Sequence, residues 1–170
     1  MQYSRNSLAT GEFIQLLGNL IEIVTDSKGS VSAQVLREYH TKGLFNIFEE
    51  LGIKSKILDN PINDKPPFLI GTRIESPEYK TILFYGHGDT VPLQTGDWYE
   101  GINPSELKVI GDKIYGRGVA DNKGQHFINL MALLSVLKTK KKLGFNLKLI
   151  FEMGEEMGSP GLFELCELYK

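Results

Sequence analysis

The feature that most constrains the fold is a short apolar run that ends abruptly in polar residues. Residues 82–85 read Ile-Leu-Phe-Tyr, and Gly86 ends this run before His87 and, two positions later, Asp89. A buried β-strand with this pattern delivers polar side chains to the rim of a sheet. Taken alone, a His-x-Asp pair between glycines is more often a turn than a site, so its interpretation depends on the rest of the chain.

Helical and strand patterns alternate along the chain. The predicted helices share apolar residues at helical spacing and cover residues 7–24, 32–51, 123–140 and a stretch opened by a capping Ser159 with Pro160 at its first position. The predicted strands are short apolar or alternating runs at residues 54–58, 68–74, 81–85, 107–110, 113–115 and 145–151. These patterns predict an α/β fold, with a mixed, mostly parallel sheet flanked by helices in a three-layer sandwich. The hairpin expected around residues 111–112 is what makes the sheet mixed.

Composition excludes several classes of protein. A length of 170 residues, 41% of them hydrophobic, suits one globular domain. Nineteen basic against 21 acidic residues give a net charge of −2, which argues against nucleic acid or an anionic membrane as a partner. No apolar stretch is long enough to span a bilayer. The single cysteine, Cys166, excludes an internal disulfide, fits a reducing compartment and is expected to be buried, so a cytoplasmic location is predicted.

Two further polar clusters follow predicted strands, as the first one does. One spans residues 116–124 and contains Asp121, and the other spans residues 153–159 and contains Glu155 and Glu156. Ligands in an open α/β sheet gather outside the ends of the strands, so clusters that are distant in sequence can converge. All three combine glycines with side chains that bind hard metal ions, which favours convergence over three unrelated polar turns.

In order and spacing, the three clusters resemble the motifs of the M20 metallopeptidases. The matching segments are His-Gly-Asp-Thr-Val-Pro at 87–92, Gly-Arg-Gly with Asp-Asn-Lys-Gly within 116–124, and Glu-Glu-Met-Gly-Ser-Pro-Gly at 155–161. That family includes carboxypeptidases, dipeptidases such as carnosinases, and deacylases. The resemblance implies a zinc-exopeptidase-like fold and hydrolysis of an amide bond in a dipeptide or at the C-terminus of a peptide. The alternative within the family is hydrolysis of an N-acyl amino acid.

The resemblance also implies a role for each site residue. His87 would bind one zinc ion, Glu156 would bind a second, and Asp121 would bridge the two. Glu155 would be the general base for the water that the two zinc ions activate, and Asp89 would orient His87 by accepting its other ring N–H. Zinc is the expected metal, with cobalt or manganese possible in its place.

Further expectations concern residues within and near the motifs. The resemblance implies a cis peptide bond after Asp121. Gly116-x-Gly118-x-x-Asp121 has the spacing of a dinucleotide fingerprint, but an acid replaces the third glycine, so NAD binding is rejected. Arg117 and Lys123 either neutralise a substrate carboxylate or form structural ion pairs, and the second reading is favoured. Trp98 and Tyr99 either line the pocket or serve only for packing. His40 and His126 are expected to be structural.

A count of ligands limits what this chain can do alone. If each zinc takes about four ligands, and Asp121 and a bridging water serve both, each metal needs two more. This chain offers one more for each, and the family implies that an acidic residue and a histidine beyond residue 170 supply the rest. Residues 1–170 are therefore expected to be the N-terminal part of one catalytic domain.

The same resemblance implies further missing parts. The C-terminal part of the catalytic domain would be absent, as would the lid domain through which many family members form homodimers. The chain alone is therefore expected to bind zinc weakly and to turn over little substrate. The alternative of another class is a non-enzymatic metal-binding or structural remnant. The intact Glu155 argues against it, because a site that only binds metal has no need of the extra carboxylate.

Overall fold

A computed structural model describes residues 2–29 and 31–169, and six strands within them form two sheets. The strands are β1 (Lys54–Leu58), β2 (Phe68–Arg73), β3 (Thr81–His87), β4 (Lys108–Ile110), β5 (Lys113–Tyr115) and β6 (Asn146–Glu152). The main sheet has the order β1-β2-β6-β3, and β4 pairs with β5 as a separate hairpin. Each predicted strand is present, and β6 is central as expected.

The α/β class and the mixed sheet are confirmed, but only one pair of strands is parallel. β3 runs parallel to β6, whereas β1 with β2 and β2 with β6 are antiparallel. The expectation of a mostly parallel sheet is therefore wrong for these strands. The loop between β1 and β2 carries no helix and returns the chain directly, while the connection from β3 to β6 contains the helix that a parallel crossover needs. The hairpin that was expected to make the sheet mixed lies outside it.

The helices agree with the predicted segments, but two of those segments are interrupted. The helices are α1 (Gln2–Ala9), α2 (Glu12–Glu22), α3 (Ala33–Glu38), α4 (Phe45–Glu50), α5 (Lys123–Lys140) and α6 (Leu162–Leu168). The helix predicted over 7–24 is split at Gly11, whose φ of 78° is left-handed. The helix predicted over 32–51 contains a π-helical turn, Tyr39–Leu44. Gly43 lies in this turn, and a Cβ there would be 2.7 Å from Leu20 Cδ2 of α2.

The beginning of α6 differs from the prediction. Gly161, and not Ser159, is the N-cap residue of this helix. The Ser159 hydroxyl instead donates a hydrogen bond to Glu152 Oε1 at 2.9 Å, so it is not available to cap the helix. Cys166 is exposed rather than buried, because Leu165 is the residue that α6 buries.

The core lies between the helices and one face of the main sheet. Leu147, Leu149 and Phe151 alternate along β6 and are at most 1% exposed, whereas Lys148 between them is exposed. The helices contribute Leu17, Leu20, Ile21, Phe127, Leu130, Met131 and Leu134. On the opposite face α6 lies beside the sheet, and Leu83 of β3 is 61% exposed there. In the described part of the chain, no helix is long and apolar enough to cross a membrane.

The two faces predict different costs for the same substitution. Leu149→Ala should lower the free energy of unfolding by about 2–5 kcal/mol, because it leaves a cavity in the core. Leu83→Ala, on the exposed face of the neighbouring strand, should change it by less than about 1 kcal/mol. Urea denaturation followed by circular dichroism measures both. Equal losses would show that the core face has been assigned wrongly.

Candidate active site

The three polar clusters meet at one end of the main sheet. His87 is the last residue of β3, Asp121 precedes α5, and Glu155 opens a short 3₁₀ turn after β6. His87 Nε2 lies 3.1 Å from Asp121 Oδ1 and 3.7 Å from Glu155 Oε2. Because β3 and β6 are parallel neighbours, the residues that follow them emerge at the same edge of the sheet. The structure thus brings together one imidazole and two carboxylates that are distant in sequence.

Asp89 links the first cluster to the third. Its side chain is fully buried, and its two carboxylate oxygens accept the backbone N–H groups of Glu155 and Glu156, each at 3.1 Å. Ser27 Oγ donates a further hydrogen bond to Asp89 Oδ2 at 2.7 Å. His87 Nδ1 lies 3.3 Å from Asp89 Oδ1 and 3.1 Å from the Asp89 carbonyl oxygen. Asp89 therefore contacts the imidazole and accepts hydrogen bonds from the backbone of both glutamates.

The side chains around His87 form an acidic environment. Burial lowers the pKa of His87, but the hydrogen bond and charge of Asp89, together with the charges of Glu155 and Asp121, outweigh it and raise this pKa to about 9. Burial, followed by the charges of Asp121, Asp89 and Glu155, raises the pKa of Glu156. Glu156 thus belongs to the same cluster, although it does not touch His87 as Asp121 does. Repulsion among these carboxylates is what a bound cation would relieve.

The donors in this cluster fit a divalent cation in chemical type. Imidazole nitrogen and carboxylate oxygen are the usual ligands of zinc in sites that lack cysteine. Asp121 and Glu155 keep 71% and 43% of their side-chain surface exposed, so both can be reached from solvent. Among the described residues, however, no group of three or more His, Cys, Asp and Glu side chains is already arranged around one point. The donor chemistry is present, and the convergence is partial.

Asn122 connects the second cluster to the first. The peptide bond between Asp121 and Asn122 is cis, as the family resemblance implied. Asn122 Oδ1 accepts the backbone N–H of His87 at 3.4 Å, and its backbone carbonyl accepts the N–H of His126 at 3.1 Å. The residue thus contacts the strand that carries His87 as well as the first turn of α5.

Sequence reasoning missed the segment around Thr25, which supports the first cluster. Thr25 Oγ1 donates a hydrogen bond to the Gly88 carbonyl at 2.6 Å, and Thr90 N donates to the Thr25 carbonyl at 3.0 Å. Asp26 and Thr90 form an isolated parallel bridge. The sequence shows only a polar turn after a helix, a pattern too common to point to a site.

Lys123 has a structural role different from the expected one. It is 1% exposed, and its Nζ donates to the carbonyl oxygens of Leu20 and Ile23 at 2.9 and 2.6 Å. The ammonium group also lies 5.0 Å from the centre of the Tyr39 ring. Burial lowers the pKa of Lys123 to about 7. Because its partners are carbonyl groups and a ring, the expectation of an ion pair is wrong for this residue.

Arg117 also lacks the expected ion pair. Its guanidinium lies 5.4 Å from the centre of the Trp98 ring, and Nη2 donates to Gln94 Oε1 at 3.1 Å. No carboxylate within the described ranges lies close enough to form an ion pair with it. Trp98 is therefore the packing partner of Arg117, while Tyr99 is 80% exposed.

Comparisons with known proteins agree with these motifs. Residues 83–170 match the family described as Peptidase family M20/M25/M40. A mouse Beta-Ala-His dipeptidase is 39% identical over 101 residues, which are 59% of this chain and 20% of that protein. A Candida albicans Cys-Gly metallodipeptidase is 34% identical over 135 residues, which are 75% of this chain and 27% of that protein. The chain thus aligns with about a fifth to a quarter of the length of these relatives.

A solved structure supports the fold over nearly the whole chain. The crystal structure of human carnosine dipeptidase 1 superposes with a TM-score of 0.85 at 30% sequence identity. The superposition covers 97% of this chain and 36% of the human chain. The α/β architecture described above is therefore that of a known structure, of which this chain spans about a third.

The contacts of Asp89 predict how the His87 ring titrates. In the metal-free chain the His87 imidazole should titrate near pH 9, because the negative charge and hydrogen bond of Asp89 stabilise its protonated form. Asp89→Asn should move the midpoint down toward the ordinary value, about 6.5. NMR titration of the ring protons measures both values. A midpoint near the ordinary value in the unmodified chain would contradict the proposed contact.

Proposed function

The chain belongs to peptidase family M20/M25/M40, and we propose that it supplies a metal site and a general base for hydrolysis of an amide bond in a dipeptide. The observation that carries this proposal is the convergence of His87, Asp121 and Glu155 at one edge of the sheet. His87 Nε2 lies 3.1 Å from Asp121 Oδ1 and 3.7 Å from Glu155 Oε2. Solvent-accessible carboxylates beside an oriented imidazole suit the hydrolysis of an unactivated amide better than they suit a purely structural role.

The proposed metal ligands are His87, Asp121 and Glu156. His87 offers Nε2, because its other ring nitrogen faces Asp89. When bound, zinc would polarise the amide carbonyl and lower the pKa of water. We propose two zinc ions, with Asp121 shared between them and with cobalt or manganese as possible substitutes. Because the described residues hold only part of a ligand set, the chain alone is proposed to bind zinc weakly.

The proposed general base is Glu155. Its carboxylate lies 3.7 Å from His87 Nε2 and is 43% exposed, so it is next to the proposed ligands and open to water. Its backbone N–H donates a hydrogen bond to the Asp89 carboxylate, which fixes the position of the Glu155 backbone. Glu155 takes a proton from the attacking water and passes it to the nitrogen of the leaving amine. Glu156, the next residue, is left to bind metal.

The names of the relatives support a dipeptide as the substrate. The mouse protein is a Beta-Ala-His dipeptidase, and the Candida albicans protein is a Cys-Gly metallodipeptidase. The alternative substrate, an N-acyl amino acid, is included in the assay below for comparison. We further propose that residues 1–170 are the N-terminal part of a catalytic domain, and that the rest of a longer protein supplies the missing ligands and a lid that forms the homodimer.

Removal of the imidazole predicts a loss of zinc binding. Loss of a residue that only orients a metal ligand typically lowers metal affinity by about 10–100-fold. His87→Ala removes a ligand itself and should therefore lower zinc affinity by more than this. His40→Leu is the matched control, since His40 is also buried but faces Ser55 of β1 and Leu69 of β2. Isothermal titration of both variants and the unmodified chain with zinc tests this. Zinc binding that survives in His87→Ala would remove the basis of the proposed site.

Removal of the base predicts a loss of turnover without a loss of metal. In a zinc-loaded preparation that hydrolyses dipeptides, Glu155→Gln should lower kcat by about 10²–10⁴-fold and leave the zinc content unchanged. The assay compares β-Ala-His and Cys-Gly with N-acetyl amino acids. Rapid hydrolysis by residues 1–170 alone would contradict the proposal that they are part of a domain. Metal binding without turnover in any longer form would favour a non-enzymatic role.

A further inference from the structure

We propose that Tyr39 and His126 are positioning residues for the metal ligands and that they act through Asn122. Tyr39 Oη lies 2.6 Å from His126 Nε2, and His126 Nδ1 lies 3.3 Å from Asn122 Oδ1. The inference rests on the proposed metal site and adds a set of residues to it. The three side chains form one line of hydrogen bonds from the π-helical turn to the edge of the sheet.

One assignment of donors and acceptors is consistent with every hydrogen bond in this line. Asn122 Oδ1 accepts the backbone N–H of His87 at 3.4 Å and Nδ2 donates to Gln125 Oε1 at 3.0 Å, so Oδ1 is the atom that faces His126. An amide oxygen can only accept, and therefore Nδ1 of His126 carries the ring proton. Nε2 is then an acceptor, and the Tyr39 hydroxyl donates to it. One tautomer of His126 satisfies both neighbours, which makes this arrangement specific.

Asn122 connects this line of hydrogen bonds to two of the proposed metal ligands. Its Oδ1 also accepts the backbone N–H of His87 at 3.4 Å, and its backbone follows directly on Asp121. The two proposed ligands that Asn122 touches in this way are themselves 3.1 Å apart, from His87 Nε2 to Asp121 Oδ1. A rotation of the Asn122 amide would therefore disturb the strand end and the second cluster together.

The same two residues also pack on the glycines that flank His87, Tyr39 through its ring and His126 through its Cβ atom. A Cβ on Gly86 would lie 3.0 Å from His126 Cβ, and a Cβ on Gly88 would lie 2.4 Å from Tyr39 Cε1. Both rings are almost fully buried, with Tyr39 at 0% and His126 at 1% exposure. Gly88 thus lies against the Tyr39 ring, and Gly86 lies against the Phe151 ring and the Cβ of His126. Displacement of either ring would let the backbone at His87 move.

His40 shows what a purely structural histidine looks like in this fold. It follows Tyr39 directly and is 2% exposed, but it lines a small cavity with Ser55, Ile57 and Leu69. None of the hydrogen bonds in the line from Tyr39 to Asn122 involves it. The His40 ring lies edge-on to Tyr39, with the ring centroids 6.2 Å apart. A substitution at His40 therefore removes a buried imidazole from the same region, and one ring contact of Tyr39, while every hydrogen bond of the line stays in place.

The first test needs no metal. In ¹⁵N-labelled residues 1–170, Tyr39→Phe removes one hydroxyl and should shift the amide resonances of His87 and Asn122 and speed the hydrogen exchange of the His87 amide. His40→Leu should leave these signals in place. If Tyr39→Phe changes only signals near residue 39, or if both variants shift the His87 and Asn122 signals alike, the inference is overturned.

The second test uses zinc and a partial replacement of the imidazole. His126→Asn keeps an N–H near the position of Nδ1 and should retain more zinc affinity than His126→Leu, which should lose about 10–100-fold. Tyr39→Phe should also weaken binding, and His40→Leu should not. Equal affinities for His126→Asn and His126→Leu would overturn the inference. If the unmodified chain binds no zinc, the proposed function fails, and the amide signals still decide the inference.

Discussion

The Asp89 carboxylate is the group on which the arrangement of the site depends. It is fully buried, and it accepts the N–H groups of Glu155 and Glu156 and the hydroxyl of Ser27. A buried charge costs several kcal/mol unless hydrogen bonds compensate for its lost hydration. Each hydrogen bond to a charged group contributes on the order of 1.5–3 kcal/mol. The donors come from two segments that are distant in sequence from Asp89, so folding must bring both of them to the carboxylate.

This anchoring has an electrostatic consequence. By holding the backbone of Glu155 and Glu156 near His87, Asp89 concentrates negative charge at the edge of the sheet. The buried Lys123 donates its hydrogen bonds to the backbone carbonyls of Leu20 and Ile23. The negative charges raise the pKa of His87 in spite of its burial. The pKa of Glu156 is raised first by burial and then by the charges of Asp121, Asp89 and Glu155. Groups with shifted pKa values often gather at functional sites, where acids and bases need pKa values matched to their roles.

Local patterns were sufficient to predict the strands, the long helix α5 and the three polar clusters that follow strands. They did not predict that β2 pairs with β6 in the antiparallel sense, because the direction of a strand depends on connections and not on its own residues. They also missed Ser27 and Tyr39, since a serine after a helix and an aromatic residue on one have many ordinary roles. Lys123 shows the same limit: its burial against Leu20 and Ile23 carbonyls depends on tertiary packing that no local pattern contains.

The glycines beside His87 follow from the two faces of β3. Side chains alternate along a strand, so Gly86 and Gly88 face the core while His87 faces the opposite side. The core face is occupied by Phe151 and His126 at Gly86 and by Tyr39 at Gly88, where any Cβ would collide. The strand can therefore lie flush against these rings, and its end stays where the imidazole reaches Asp121. The two glycines are thus required for packing, and the packing in turn holds the proposed ligand in place.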